Sequence, residues 1–205
     1  MRHQKKLIPP KQFYVDYNYK LSNVLKKEHF IELENLTKTI EKKIRLKKNI
    51  FVCGNGGSAS VSNHFLCDFN KGIKLSSNKK LFPRVISLVN SIDIITAISN
   101  DLSYNEIFSN QIENHANSGD ALIIISCSGS SKNIIEAVKY AKKKKLDVIA
   151  FVGFGNNKFI KKSSKHYLNL KTKNYGLTED IFQAMMHMIS QYLRKKYSKN
   201  KLEIL

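Results

Sequence analysis

The sequence contains no apolar run approaching the roughly 20 residues that a membrane-spanning helix needs. The chain is therefore not expected to cross a bilayer. The basic start, MRHQKKLIPPKQFYVDYNYK, has no continuous apolar segment behind it and does not read as a secretory signal. Cysteine is scarce. Cys53, Cys67 and Cys127 are odd in number and lack Cys-x-x-Cys spacing, so they read as reduced thiols of a cytoplasmic protein. Acidic residues are too few to balance the lysines, and the net charge is +19. Yet arginine is rare, and no aromatic–basic interleaving marks a base-stacking platform. The lysines fall in LKKEHF, EKKIRLKKN, AKKKKLD and RKKYSKNK, where helices should face water, so nucleic-acid binding is not expected.

Several site motifs are also missing. No Gly-x-x-x-x-Gly-Lys-Ser/Thr loop occurs, which excludes a nucleotide P-loop. GNGGSA is not the dinucleotide fingerprint Gly-x-Gly-x-x-Gly, and no carboxylate lies at the distance a ribose requires. SGSS lacks the Gly-x-Ser-x-Gly pattern of a nucleophile elbow. No nucleotide cofactor is expected.

What is present is the alternation of an α/β protein. At 205 residues the chain suits a single domain with a proper core. Residues 1–20 read as an arm interrupted at Pro9-Pro10, and apolar positions from Leu21 to Ile44 keep helical spacing over a long leading helix, 21–47. Residues 48–195 then form the core. NIFVC, RVISLV, DALIIIS, DVIAFVG and KHYLNL read as five strands separated by helical segments, the last helix being TEDIFQAMMHMISQYLRKKYSK. This pattern predicts a three-layer, flavodoxin-like sandwich around a mainly parallel five-stranded sheet.

In such a sheet, ligands bind outside the carboxyl ends of the strands. Two loops rich in small polar residues fall there: Cys53-Gly54-Asn55-Gly56-Gly57-Ser58 and Ser126-Cys127-Ser128-Gly129-Ser130-Ser131. A helix start offers free N–H groups and a positive dipole end, glycine permits close approach, and serine hydroxyls donate to phosphate oxygens. One serine-rich turn alone is also an ordinary helix cap. Two of them on strand ends favour a shared phosphorylated ligand.

Titratable groups follow. His64 and Asp68 are four apart on one helix face, and Glu179 and His187 lie two turns apart on the last helix. Together they suit proton transfer or metal binding. Each also has a plain reading: His64 half-buried, Glu179 favoured by the helix dipole, His187 packed among methionines. The remaining histidines, His3, His29, His115 and His166, read as surface residues.

CGNGGSASVSNHF, TAISNDLSYNEIF, SCSGSSKNIIEA and TEDIFQAMMHMI, in that order, resemble the sugar-isomerase (SIS) domain, and within it the sedoheptulose 7-phosphate isomerases, or phosphoheptose isomerases. The likeness spans Leu21 to Leu193. It implies a cytoplasmic homotetramer with active sites at subunit interfaces. The implied reaction converts the ketose phosphate to D-glycero-D-manno-heptose 7-phosphate, for lipopolysaccharide, capsule or S-layer glycans. By the same resemblance, Asn55, Gly56, Gly57, Ser58, Asn100 and Asp101 contact the sugar, and Ser126, Cys127, Ser128 and Ser131 hold the phosphate. His64, Asp68, Glu179 and His187 match the family's proton-transfer set, which binds zinc in many members. The resemblance thus admits one zinc ion per site, with Asp68, Glu179 and His187 as the catalytic groups.

Three positions depart from the family pattern. Asp68 stands for a glutamate, Glu179 for a glutamine, and Cys127 for a threonine. The departures raise an isomerase for another phosphosugar as one rival. A phosphosugar sensor or an adaptor for a DNA-replication initiator is the other. Carboxylates at both variable positions, beside His64 and His187, favour an enzyme.

Overall fold

The computed structural model describes residues 8–198. Its five strands are β1 (Asn49–Gly54), β2 (Arg84–Ser87), β3 (Ala121–Ser126), β4 (Asp147–Val152) and β5 (His166–Asn169). They form one sheet of order β2-β1-β3-β4-β5, with every neighbouring pair parallel. All six residues of β3 are buried. Helices cover both faces, so a central strand reads as a continuous apolar run instead of an alternating one.

The pleat divides the core in two. Ile50, Val52, Ile123, Ile125 and Phe151 point into one layer. There they meet Leu36 and Ile40 of α2 (Lys27–Arg45), Phe65 of α3 (Gly57–Cys67), and Phe182 and Met185 of α9 (Tyr175–Tyr197). Phe51, Leu122, Ile124 and Val148 point the other way. Their partners are Ile98 of α5 (Ile92–Asp101), Ile112 of α6 (Ser109–His115), Val138 of α7 (Lys132–Lys143) and Ile160 of α8 (Lys158–Ser163). The expected three-layer sandwich is therefore present. Among the described residues, no helix is long and apolar enough to cross a membrane.

The leading region differs from expectation. A helix, α1, already begins at Pro10 and ends at Val24, and Leu25 and Lys26 are extended before α2 starts. Pro10 occupies the first turn, where its missing N–H costs nothing. The break is fixed by His29, whose Nδ1 accepts the Lys26 N–H at 3.0 Å while Nε2 lies 3.1 Å from the Asn169 carbonyl. His29 is thus buried, correcting its reading as a surface residue. His166 is likewise internal in role, 2.9 Å from Glu32 Oε1 and 2.8 Å from Thr39 Oγ1, tying β5 to α2. His115 is exposed as expected, and His3 lies outside the described residues.

Two further helices are subdivided. The segment before β3 is divided into a 3₁₀ turn at Tyr104–Glu106 and α6. After α3 the chain widens into a π-helix, Asp68–Ile73, and then a single α turn, α4 (Lys74–Ser76). Within the π segment, the Asn70 amide donates to the Val85 carbonyl at 2.8 Å and accepts the Val85 N–H at 2.9 Å. The outer edge of β2 is capped in this way by a side chain.

Glu41 of α2 locks the end of α9. It accepts Lys196 Nζ on both oxygens at 2.9 Å and also takes the Tyr197 hydroxyl. Burial alone would raise the Glu41 pKa, but the Tyr197 and Lys196 hydrogen bonds, aided by Arg45, overcome it and hold the carboxyl below its ordinary value. A lowered folded pKa stabilises the fold above the unfolded value of about 4 and loses that contribution as pH falls through the folded value. Glu41→Gln should therefore be less stable than wild type at pH 7, and the gap should close near pH 3. Urea midpoints at the two pH values check this, and a gap independent of pH would contradict it.

Candidate active site

In the order β2-β1-β3-β4-β5, β1 is paired on one side with β2 and on the other with β3, and the chain reverses its direction of winding between β1 and β3. A crevice opens where the carboxyl ends of two such strands part. Gly54 ends β1 opposite Ile125, the penultimate residue of β3, so both small-residue loops leave the sheet at this point. The backbone is crowded here. A Cβ on Gly54 would lie 2.7 Å from Ser58 Cβ and 2.8 Å from the Ile125 carbonyl, so only glycine fits. Gly56 adopts φ +57°, a conformation that glycine reaches without cost, and turns the chain into α3 with no side-chain cap.

The serine loop builds its own frame. Ser126 Oγ accepts the Gly129 N–H at 3.0 Å, and Ser128 Oγ accepts the Ser130 N–H at 3.3 Å. Their hydroxyl protons remain available as donors. The end of β4 clamps the loop from behind. Gly153 N–H reaches the Ser126 and Cys127 carbonyls at 3.2 and 3.1 Å, and Phe154 N–H reaches the Cys127 carbonyl at 2.9 Å. A Cβ on Gly155 would land on the Ser128 carbonyl. Ser131, half-buried, precedes α7 without a side-chain cap bond.

The two loops are joined by a reciprocal amide pair: Asn55 donates to Asn133 at 2.9 Å, and Asn133 donates to Asn55 at 3.0 Å. Tyr104 also donates its hydroxyl to Asn55 at 3.2 Å. Asn133, Tyr104, Gly153 and Gly155 were not identified in the sequence. Asn133 lies among polar helix-start residues that give no sign of burial, whereas glycines ending a strand at a ligand edge could have been noticed. Asn100 and Asp101 stand exposed at the end of α5 and bond each other at 2.8 Å. It is Tyr104, just beyond them, that touches the loop.

Glu179, in the first turns of α9, places its carboxylate against Gly57, where a Cβ would overlap it. Cys127 Sγ lies 3.8 Å from Glu179 Oε1 and 3.9 Å from the buried Ser58 hydroxyl. Burial first, with the Glu179 charge adding to it and Ser58 opposing, pushes the Cys127 thiol up to about 11. This thiol is protonated at neutral pH and is a donor, not a nucleophile.

The second half of the site forms between α3 and α9. His64 Nε2 and His187 Nε2 are 2.9 Å apart, and each lies 3.6 Å from an Asp68 oxygen. Ser190 donates to Asp68 Oδ2 at 3.1 Å, and the Gln183 amide is 3.0 Å from His187 Nε2. One donor atom from each of His64, Asp68 and His187 lies within 4.8 Å of the others. Two imidazoles and a carboxylate suit zinc or another divalent transition metal better than calcium or magnesium, which prefer all-oxygen sites. The four residues expected to gather are thus divided. Three meet at this cluster, while the Glu179 carboxylate faces the loops. A cavity of about 690 Å³ is lined in part by Glu32, Phe154 and Tyr167.

The sequence pattern of the SIS domain matches residues 12–153. The chain is 35% identical over 148 residues to a probable phosphoheptose isomerase of Thermoplasma acidophilum, covering 72% of this chain and 79% of the relative. It is 30% identical over 192 residues to the phosphoheptose isomerase of Helicobacter pylori, covering 87% of this chain and 98% of the relative. A phosphoheptose isomerase structure from Francisella tularensis superimposes with a TM-score of 0.78 at 22% identity, covering 92% of this chain and 100% of that one.

The glycine contacts separate rigid from yielding neighbours. Gly155→Ala meets backbone and should lose about 1–3 kcal/mol of stability. Gly57→Ala meets only the movable end of Glu179 and should stay within about 0.5 kcal/mol of wild type. Urea denaturation measures both, and equal losses would contradict the distinction.

Proposed function

The chain belongs to the SIS domain family, and on that premise we propose that it is a phosphoheptose isomerase, converting sedoheptulose 7-phosphate to D-glycero-D-manno-heptose 7-phosphate. The observation that carries this reading is the pairing of an uncharged, hydroxyl-rich loop at the sheet's switch point with a carboxylate and two imidazoles along the adjoining helices. From Glu179 to His187, α9 rises about 12 Å, comparable to an extended seven-carbon sugar carrying a terminal phosphate.

The phosphate is held by Ser126, Ser128, Ser131 and the N–H groups opening α7, with the Cys127 thiol as a weaker donor where the family has a hydroxyl. The carbonyl end then reaches the cluster. Aldose–ketose interconversion removes a proton from the carbon beside the carbonyl, passes through an enediol, and returns the proton to the neighbouring carbon. Asp68 is the base in this reading. Its neighbours hold it in place: Ser190 donates to it, and both imidazoles flank it. His187 is the acid at the carbonyl oxygen, and His64 orients His187 through their short contact. Glu179 lies between the two ends and accepts sugar hydroxyls, together with Asn55 and Gly57, while Asn100 and Asp101 approach from the far side. A zinc ion held by His64, Asp68 and His187 would polarise the carbonyl in place of His187, whose Nε2 it would occupy. A carboxylate that gives one oxygen to a metal keeps the other as a base.

Large exposed apolar side chains, including Phe13, Tyr14, Val15 and Tyr19 on α1 and Phe30 and Ile31 on α2, support packing against further copies. Together with half-exposed His64 and His187, they fit a cytoplasmic homotetramer whose active sites lie at subunit interfaces.

The test is turnover of sedoheptulose 7-phosphate coupled to a heptose kinase. Wild type should turn over; binding without turnover would point to a sensor instead. Asp68→Asn should lower kcat about 10²–10⁴-fold with KM little changed, as expected for a lost general base. Glu179→Gln should act mainly on KM. The reverse pattern would transfer the base to Glu179.

A further inference from the structure

Parallel pairing throughout the sheet puts the amino ends of all five strands on one edge, opposite the small-residue loops. The turns that enter the strands there are tied together. Arg84 Nη1 donates to the Lys47 carbonyl at 3.2 Å, Lys48 Nζ to the Ser118 carbonyl at 2.9 Å, and the Gly119 N–H to the Lys145 carbonyl at 3.2 Å. From β2 to β4 this connected edge spans three strand spacings of about 4.8 Å.

The edge is rich in lysine, and helix C-termini explain part of that, because cations there offset the dipole and satisfy free carbonyls. Lys43, Lys48 and Lys144 do this, reaching the carbonyls of Gly119, Ser118 and Glu113. Lys47, Lys79, Lys80 and Lys145 do not. All four are exposed, and none has a side-chain partner among the described residues. Lys47, Lys79 and Lys145 hold φ values of +54°, +58° and +61°, the left-handed region that favours glycine. Backbone geometry therefore does not account for lysine at these three turns. The carboxylates at the entries to β3 and β4 are already engaged: Asp120 accepts the Asn49 and Asn117 N–H groups, and Asp147 binds Lys43 and Lys165.

Two apolar side chains stand among these cations. Leu46, beside Lys47, is 57% exposed, and Phe82, shortly after Lys79 and Lys80, is 47% exposed. Lys47, Lys80 and Phe82 line one cavity, so the two turns adjoin. A nucleic-acid backbone gains little from such apolar groups. An anionic bilayer takes both kinds, its headgroups drawing the ammonium groups while leucine and phenylalanine enter the acyl boundary.

We propose that the amino edge of the sheet is a peripheral docking surface for anionic phospholipid bilayers, with Lys47, Lys79, Lys80 and Lys145 at the headgroups and Leu46 and Phe82 inserted. Docking there turns the carboxyl edge and its loops away from the lipid. Phe30 and Ile31, which support packing against further copies, lie about 22 Å away along α2, so assembly and docking use different surfaces. The inference does not rest on the isomerase reading.

The experiment sediments the full-length protein with vesicles of phosphatidylcholine alone or of phosphatidylcholine with phosphatidylglycerol. Wild type should bind only the anionic vesicles, and less as salt rises. Lys47→Gly, Lys79→Gly and Lys145→Gly combined should weaken binding roughly 100-fold, about fivefold for each charge lost. Glycine fits each of these turns, so the combined variant keeps the fold. Leu46→Ser with Phe82→Ser should weaken binding at least ~10-fold and leave the salt dependence unchanged. Absence of binding to anionic vesicles, equal binding to neutral ones, or wild-type binding by the combined glycine variant would overturn the proposal. So would unaltered binding by Leu46→Ser with Phe82→Ser, or a preference for duplex DNA over the vesicles in direct competition, which would mark a surface for nucleic acid.

Discussion

The parallel pairing of β1 with β3 is the constraint on which the site depends. It brings the ends of two strands, some 70 residues apart in sequence, to one edge of the sheet, Gly54 beside Ile125. Side by side the two loops are cross-linked by the Asn55–Asn133 amides and by the Cys127–Ser58 approach. The crowding at Gly54 shows how close this packing is, because the first turn of α3 rests almost directly on the end of β3. Loop, helix start and strand end therefore form one rigid body, and a binding site on such a body needs little reordering when a ligand arrives.

The second pair of elements, α3 and α9, solves a different problem. Polar groups must face solvent on a helix pair whose opposite faces are core. Phe65 and Phe69 are fully buried on the same stretch that carries His64 and Asp68, and Met185, Met186 and Ile189 surround His187 in sequence. The π-helix beginning at Asp68 accommodates both demands. Widening of this kind often marks functional positions, since it displaces one residue from the regular helical phase. Here it coincides with the point where the chain passes from the carboxylate to Asn70, the side chain that caps β2.

Much of this was legible in the sequence. The three central strands were visible because apolar runs ended in glycine and serine, and the parallel pairing followed from the alternation of strands with helices. The division of the leading helix was not visible. It depends on His29 capping α2 while contacting Asn169, a residue 140 positions away, and periodicity carries no trace of such a bond. His29 and His166 looked like surface residues because their neighbours in sequence are polar, although in space His29 meets the Lys26 and Asn169 backbone and His166 the half-buried Glu32 and Thr39.

The three thiols sit in very different surroundings. Cys53 is wholly enclosed, its pKa raised by burial, and Cys127 is kept protonated by burial beside Glu179. Cys67 alone is exposed, and it immediately precedes Asp68. Thiol-directed reagents thus meet one exposed cysteine. A fluorophore or spin label placed there without mutagenesis would report from the rim of the histidine cluster.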